Sequence, residues 1–436
     1  KLSATEVKEL ILNNVDDVTQ LHNYCLTGGR LNAYKAVKAA TESATFVKDI
    51  TGDGKDDMIL VRKSNGKYAF SVFKGQTSGY LSSPVTTTTT RDFSYDEEVF
   101  CGDFNGDGKA DILLHYAVNS YRHFSLFLGK SNATFEDEEE ITSTRYHDEM
   151  LYPYKAFIGD QNGDGKDDFI LVYENSYYNV GILVYRGATS PYYLLDATST
   201  YSSSIQYNHD VEMFSGCFND DNKTDILIHS KSSTNKHVLC TFISTSACDF
   251  TCATLTSTYA VDKENHPFKL LIGDQNGDSQ DDFIVVYKGS IGYRCGLVYK
   301  GDCYTPYFID GSILLSSFDN YDNKDYAFSG DFNGDGFSDI LIERGYNGYR
   351  QLITYKANIT GSYDSAISQT TTNGYNRKTW PATSLVGDIN GDGKDDFIVK
   401  WKYATDDEVS VHVYLGGTNG FTTANTTHSS IPFYNE

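Results

Sequence analysis

The sequence predicts an all-β chain, a seven-bladed β-propeller with a short N-terminal helical segment, on three observations. First, a nine-residue motif of the form Asp-x-Asn-Gly-Asp-Gly-x-x-Asp recurs seven times. Its first position falls at Asp49, Asp103, Asp160, Cys217, Asp274, Asp331 and Asp388. Second, the intervals are 54 residues and then 57 five times in succession, the fixed period of a propeller or an array. Third, each motif runs straight into an apolar, β-branched stretch, as in Met58-Ile59-Leu60-Val61 and Phe169-Ile170-Leu171-Val172.

In chain order, residues 1–40 stand apart from the repeat. Ser3 and Glu6 form a capping box, with Leu2 and Val7 as a hydrophobic staple, and Val7, Leu10, Ile11 and Val15 follow helical spacing. Residues 41–436 form the second domain. A second strand follows each motif by about 20 residues and often ends at Gly, as in Phe70-Ser71-Val72-Phe73-Lys74-Gly75. Two more strands fit in the remainder, so each repeat holds the four strands of one blade. Residues 40 to 436 number 397, where seven units of 57 would need 399. A closed ring explains that economy, because an open stack needs atypical capping repeats. The repeat also alternates. Odd blades carry Asp56-Asp57, Asp167-Asp168, Asp281-Asp282 and Asp395-Asp396, whereas even blades read Ala110-Asp111, Thr224-Asp225 and Ser338-Asp339. Two odd-type blades must therefore meet where the ring closes.

The loops have the chemistry of a calcium site. Oxygen donors stand at positions 1, 3, 5 and 9, and position 7 can add a backbone carbonyl. With one bidentate carboxylate or a water they reach the about six to eight oxygens that Ca²⁺ takes, whereas Mg²⁺ wants a smaller, stricter octahedron. The expected ligands are Asp49, Thr51, Asp53 and Asp57 in blade one, and Asp103, Asn105, Asp107 and Asp111 in blade two. Blade three offers Asp160, Asn162, Asp164 and Asp168, and blade five Asp274, Asn276, Asp278 and Asp282. Blade six offers Asp331, Asn333, Asp335 and Asp339, and blade seven Asp388, Asn390, Asp392 and Asp396. Blade four reads Cys217-Phe218-Asn219-Asp220-Asp221-Asn222-Lys223-Thr224-Asp225, with a thiol for the first carboxylate and neither glycine. It is expected to be empty, leaving about six structural ions. An EF-hand is excluded, since position 12 is apolar (Leu60, Leu114, Leu171) rather than Glu. Ordinary Asn-Gly and Asp-Gly turns are the plainer alternative for a single copy. Seven copies in register argue against it.

The net charge of −23 argues against nucleic acid or an anionic membrane as a partner, since both need a basic face. No apolar run approaches the roughly 20 residues of a membrane span. Cys240 and Cys248 are eight apart, as are Cys295 and Cys303, and the pairs are offset by 55 residues. Two hairpin-spanning disulfides are expected there, with buried free thiols as the alternative; Cys25, Cys101, Cys217 and Cys252 cannot be paired from sequence. Asn132, Asn222, Asn358 and Asn425 head Asn-x-Ser/Thr sequons and, with the cysteines, favour a secreted, extracellular setting. The run Thr86 to Thr90 reads as an O-glycosylated or plain polar loop. His115 and His229 sit at equivalent strand ends, with Glu343 in the same place in blade six, and read as surface histidines rather than catalytic groups.

The loops resemble the FG-GAP/VCBS repeats of integrin α-chain propellers and of many secreted microbial proteins. The resemblance implies structural calcium and binding through loops on one face of the ring. Some relatives bind sugars through aromatic pockets, but Trp380 and Trp401 do not recur here. The order of helix start, Asn14-Val15-Asp16 and Thr27-Gly28-Gly29-Arg30-Leu31-Asn32-Ala33 resembles the end of a subtilisin-like serine protease domain, whose triad would lie upstream of Lys1. The chain itself is then no enzyme. Three functions follow. The first is an adhesion or interaction module of a secreted subtilase-like protein, binding an extracellular protein or glycan. The second is a self-associating subunit of an extracellular glycoprotein filament. The third is a lectin with loops such as Tyr177-Tyr178 and Tyr192-Tyr193, where cross-strand tyrosine packing is the alternative.

Overall fold

The apolar stretch after each acidic loop is a strand with both of its faces buried. In blade one this is Asp57–Ser64, where Met58 and Leu60 pack toward blade seven while Ile59 and Val61 pack toward blade two. Each blade is thus sandwiched between two neighbours, which is why these strands read as continuous apolar runs instead of alternating ones. The computed structural model describes residues 15–17, 29–31, 44–94, 97–119, 121–146, 154–175, 177–195, 197, 200–206, 211–245, 249–260, 268–289, 292–374, 382–402 and 408–432.

Seven antiparallel sheets make the ring; six are four-stranded meanders, and that of blade three carries a fifth, two-residue strand, Leu194–Leu195, beside its third strand. Blade one orders Ala44–Lys48, Asp57–Ser64, Lys67–Phe73 and Val85–Asp92 from the centre outward. The first strands line the hub: Ala44–Lys48, Glu98–Gly102, Tyr154–Gly159, Glu212–Gly216, Phe268–Gly273, Tyr326–Gly330 and Ala382–Gly387. Each touches the next, and the seventh touches the first. The ring is closed. Seven apolar clusters, one in each seam between blades, replace a single core. In the first of them Phe70 meets Phe127 edge-on at 4.9 Å between ring centroids.

The meander sorts its connections. The acidic loops and the connections between third and fourth strands emerge on one face. The tight turns between second and third strands, and the connectors from one blade to the next, emerge on the other.

Three expectations change here. Thr86 to Thr90 lie within the outer strand of blade one, alternating half-buried and exposed, because β-branched threonine suits a pleated edge as well as a loop. Cys295 and Cys303 are free thiols. Cys295 lies inside the third strand of blade five, Tyr293–Tyr299, and Cys303 follows that strand instead of opposing it across a hairpin. At about 3.3 Å per residue the strand carries the chain roughly 13 Å from Cys295 by its end, beyond the about 7 Å that a disulfide spans. Cys240, inside the third strand of blade four (Lys236–Ser244), is also free, and Cys248 lies outside the described residues. In residues 1–40, the helix expected from Ser3 lies outside the described residues. Val15–Asp17 and Gly29–Leu31 form a small antiparallel ladder where a helical segment was expected. Among the described residues no helix is long and apolar enough to cross a membrane.

Candidate functional site

The acidic loops fold alike because each first carboxylate gathers the amides of its own loop. In blade two, Asp103 Oδ1 accepts from the amides of Gly106 (2.8 Å) and Asp107 (3.1 Å), and Oδ2 from that of Gly108 (2.8 Å). Asn105 Oδ1 accepts from the Asp107 amide (2.8 Å), and Asp107 Oδ1 from that of Lys109 (3.0 Å). Asp49, Asp160, Asp274, Asp331 and Asp388 repeat the first pattern. Position 4 requires left-handed backbone, and a Cβ at Gly106 (φ +74°) would stand 2.9 Å from Lys166 Cγ of the next blade.

The ninth position does a different job. All seven of its carboxylates, Asp57, Asp111, Asp168, Asp225, Asp282, Asp339 and Asp396, are fully buried. One oxygen accepts from the loop, as from the Phe104 amide to Asp111 (3.1 Å). The other accepts from the amide just past the third strand, as from Gly129 to Asp111 (2.9 Å). Asp225 makes the same pair, with Phe218 (3.0 Å) and Ser244 (2.7 Å), although its loop lacks the first carboxylate. The ninth Asp therefore latches the loop to its blade in every copy. Burial raises these carboxyls, to about 6 for Asp57, about 8 for Asp111 and about 7 for Asp225.

Hard oxygens at positions 1, 3, 5 and 9 fit calcium in chemistry and number. Their side chains are turned onto amides, and among the described residues no three acidic, His or Cys side chains converge on a common centre. In blade four, the Cys217 thiol faces the amides of Asn222, Asp221 and Asn219, in the place of the lost carboxylate. Asp220 and Asn222 keep the left-handed backbone without glycine (φ +59° and +57°).

The alternation of blades also has a physical cause. At every seam the amide of position 8 donates to the carbonyl of position 1 in the preceding blade, at 2.6–2.8 Å. Where position 8 is Asp, its carboxylate also accepts the amide of that preceding position 1. Asp167 takes Asp103 (2.8 Å), Asp281 takes Cys217 (2.8 Å) and Asp395 takes Asp331 (2.8 Å). The closing seam does the same, with Asp56 accepting from the Asp388 amide at 3.0 Å. The odd-type first blade gives the closing seam this second bond.

The histidines are interior, contrary to the surface reading. His115 is buried between Glu98 (3.0 Å) and Arg122 (3.0 Å). His229 is buried between Glu212 (3.2 Å) and His237 (2.8 Å), and Glu343 holds Arg350 at 2.8 Å in the matching place. Burial, then the neighbouring His229, lowers His237 to about 3. A period of 114 residues relates these centres, and the packing of whole blades was needed to see that they face inward. Of the sequons, Asn132 and Asn222 are exposed. Asn358 and Asn425 are half-buried and donate their side-chain amides to Asp364 Oδ1 (2.9 Å) and the Ser78 carbonyl (3.2 Å). Tyr177, Tyr178 and Tyr192 are 78%, 71% and 66% exposed, so cross-strand packing does not account for them.

Sequence reasoning missed a cavity of about 530 Å³ on the face opposite the acidic loops, between blades five and six. Its walls come from three segments. Lys288 ends the second strand of blade five, Asp282–Lys288. Residues 320–325 connect the blades, and Arg344 to Tyr346 end the second strand of blade six, Asp339–Tyr346. Asp325 pairs with Arg294, itself almost wholly buried, at 2.6 Å.

Residues 49–114 match the FG-GAP-like repeat family. The match spans the acidic loops of blades one and two. No curated protein matches the sequence. Among solved structures, an Agrocybe aegerita lectin described as recognising non-reducing terminal N-acetylglucosamine is similar over 91% of this chain and 93% of its own. Its identity is 15% and its TM-score 0.63, which shows the shared fold. The six-bladed, fucose-recognising Aleuria aurantia lectin (10% identity, 79% and 98% coverage, TM-score 0.35) and an ulvan lyase (8%, 89% and 96%, TM-score 0.42) are too distant in shape to carry an argument.

Proposed function

We propose that the chain is a non-catalytic extracellular interaction propeller, held by calcium at its acidic loops and binding glycan through its face loops. The observation that carries this reading is the tyrosine left in solvent. Tyr177, Tyr178, Tyr192 and Tyr304 are each at least 66% exposed, while the seams bury aromatic rings throughout. A flat ring with a polar tip at a loop stacks on the C–H face of a sugar and bonds its hydroxyls. The overall likeness to an N-acetylglucosamine-recognising lectin supports glycan over protein as the ligand. The oxygen donors of six loops support calcium, and the exposed sequons Asn132 and Asn222 support secretion. The histidines support a non-catalytic chain, since His115 and His229 are bound inside blades.

Residues 1–40, on their subtilase resemblance, would tether the propeller to such a protease domain. An upstream coding sequence without an Asp/His/Ser triad removes that part of the reading. A glycan microarray probed with the calcium-loaded chain tests the rest. Binding to a defined glycan class, weakened in Tyr177→Ala/Tyr178→Ala, is expected. Binding to no glycan overturns the reading, and cleavage products in mass spectra of incubated oligosaccharides overturn its non-catalytic part.

A further inference from the structure

The six loops with a full set of oxygen donors differ in what stands beside the Asp of their fifth position. In all six, Oδ1 of that Asp accepts the amide of position 7 at 3.0–3.1 Å, so the carboxylate is held in the same way. Its Oδ2 is treated differently. In four loops position 7 is a lysine whose Nζ sits on Oδ2. Lys55 holds Asp53 (2.9 Å), Lys109 holds Asp107 (2.7 Å), Lys166 holds Asp164 (3.2 Å) and Lys394 holds Asp392 (3.0 Å). In blade five position 7 is Gln280, and in blade six it is Phe337. There Asp278 and Asp335 make no ion pair among the described residues. Exposed ion pairs contribute little when both side chains are free to move. These lysines are not free. Their stems lie on the position-4 glycine of the preceding loop: a Cβ on Gly52, Gly106, Gly334 or Gly391 would stand 2.9 Å from Cγ of Lys109, Lys166, Lys394 or Lys55. The lysine side chains are only 19–27% exposed, so packing of the stem keeps each ammonium at its carboxylate.

The geometry points to two classes of calcium site, a tight pair in blades five and six and a weaker four in blades one, two, three and seven, with the position-7 lysine setting the class. This rests on the calcium reading of the loops and ranks the sites within it. Calcium affinity follows the charge of the ligand set. Each loop brings three carboxylates, and in four loops the lysine cancels one of them. One charge opposing a divalent ion a few ångströms away in solvent changes affinity roughly tenfold. Ser279, in place of the second glycine of blade five, leaves the loop's bonds intact. Its amide donates to Asp274 Oδ2 at 2.8 Å, as that of Gly336 does to Asp331 Oδ2 in blade six.

Calcium titration of the chelated chain at low salt, in competition with a chromophoric chelator, tests the ranking, with native mass spectrometry counting the ions. Two ions are expected to bind at least tenfold more tightly than the other four. Gln280→Lys/Phe337→Lys should abolish the tight pair while six ions still bind at saturation. Lys109→Gln, which leaves every ligand in place, should create a third tight site, and it decides the matter alone if the double variant does not fold. Six ions of one affinity, a tight pair that persists in Gln280→Lys/Phe337→Lys, or Lys109→Gln without a third tight ion each overturns the proposal. Calcium bound without this ranking leaves the calcium reading of the loops standing. No calcium bound at all removes both.

Discussion

The two faces of the ring are built on opposite plans. On one face, six of the seven loops repeat the same bonds from the first carboxylate to its amides, and all seven repeat those from the ninth to the blade. On the other, a cavity lined by Lys288, Tyr321 and Arg344 lies between blades five and six. Repetition serves the frame, because every seam poses the same packing problem and one solution fits all. The proposed recognition of glycan would instead need places that differ from their equivalents around the ring. Blade four marks the boundary within the repeated face. Its loop has lost the first carboxylate yet keeps the ninth, which separates what the fold needs from what a cation would need.

The largest effect expected is therefore at the ninth position. Asp225→Ala orphans the buried amides of Phe218 and Ser244 and should cost about 3 kcal/mol, with or without calcium. Urea melts measure it, and a cost that vanishes under chelation would show that the ninth Asp acts only through a metal. Next comes pH. The folded chain keeps His237 neutral, with a pKa near 3, while the unfolded chain protonates it below about 6.5. Its contribution is present above pH 6.5 and is lost as pH falls from there toward 3. Between pH 6.5 and 5 the loss should be about 1–2 kcal/mol. His237→Gln, with Glu212 and His229 left in place, should remove that contribution relative to the parent profile, in which the raised ninth-position carboxyls act in the opposite sense, and a slope equal to the parent's would refute the assignment.

Smaller effects sharpen the contrast between the faces. Cys217→Asp restores the missing carboxylate and should add one calcium ion per chain in native mass spectra; no added ion would mean that the lost glycines matter more than the thiol. Tyr177→Ala, at an exposed turn of the opposite face, should change stability by no more than about 0.5 kcal/mol while weakening glycan binding. A large loss of stability would return that ring to the frame.

The same contrast governs what could be read from sequence. The ring, its seven blades and the exception at Cys217 were legible, because a signal repeated seven times averages out local noise. The roles within the loop were less so. Asp57 and its equivalents looked like ligands, and only the register between the loop and the third strand shows them latching Gly75 and its counterparts. The paired Asp of odd blades was visible as a pattern, but its bond to the preceding blade, 64 residues back for Asp167, was not. Cys295 and Cys303 misled because equal spacing was read as a hairpin, when one residue lies within a strand and the other follows it. The cavity had no signal at all: its lining shares no spacing, and Tyr321 reads as one tyrosine among 34.

The acidic loops are proposed as calcium sites that serve the fold. Differential scanning calorimetry of the chelated chain, before and after adding back millimolar calcium, tests it most directly. The melting temperature should rise by ten degrees or more, since several sites that bind only the folded state add their free energies. Native mass spectrometry of the same samples should count about six ions. An unchanged melting temperature with no bound calcium would contradict the claim.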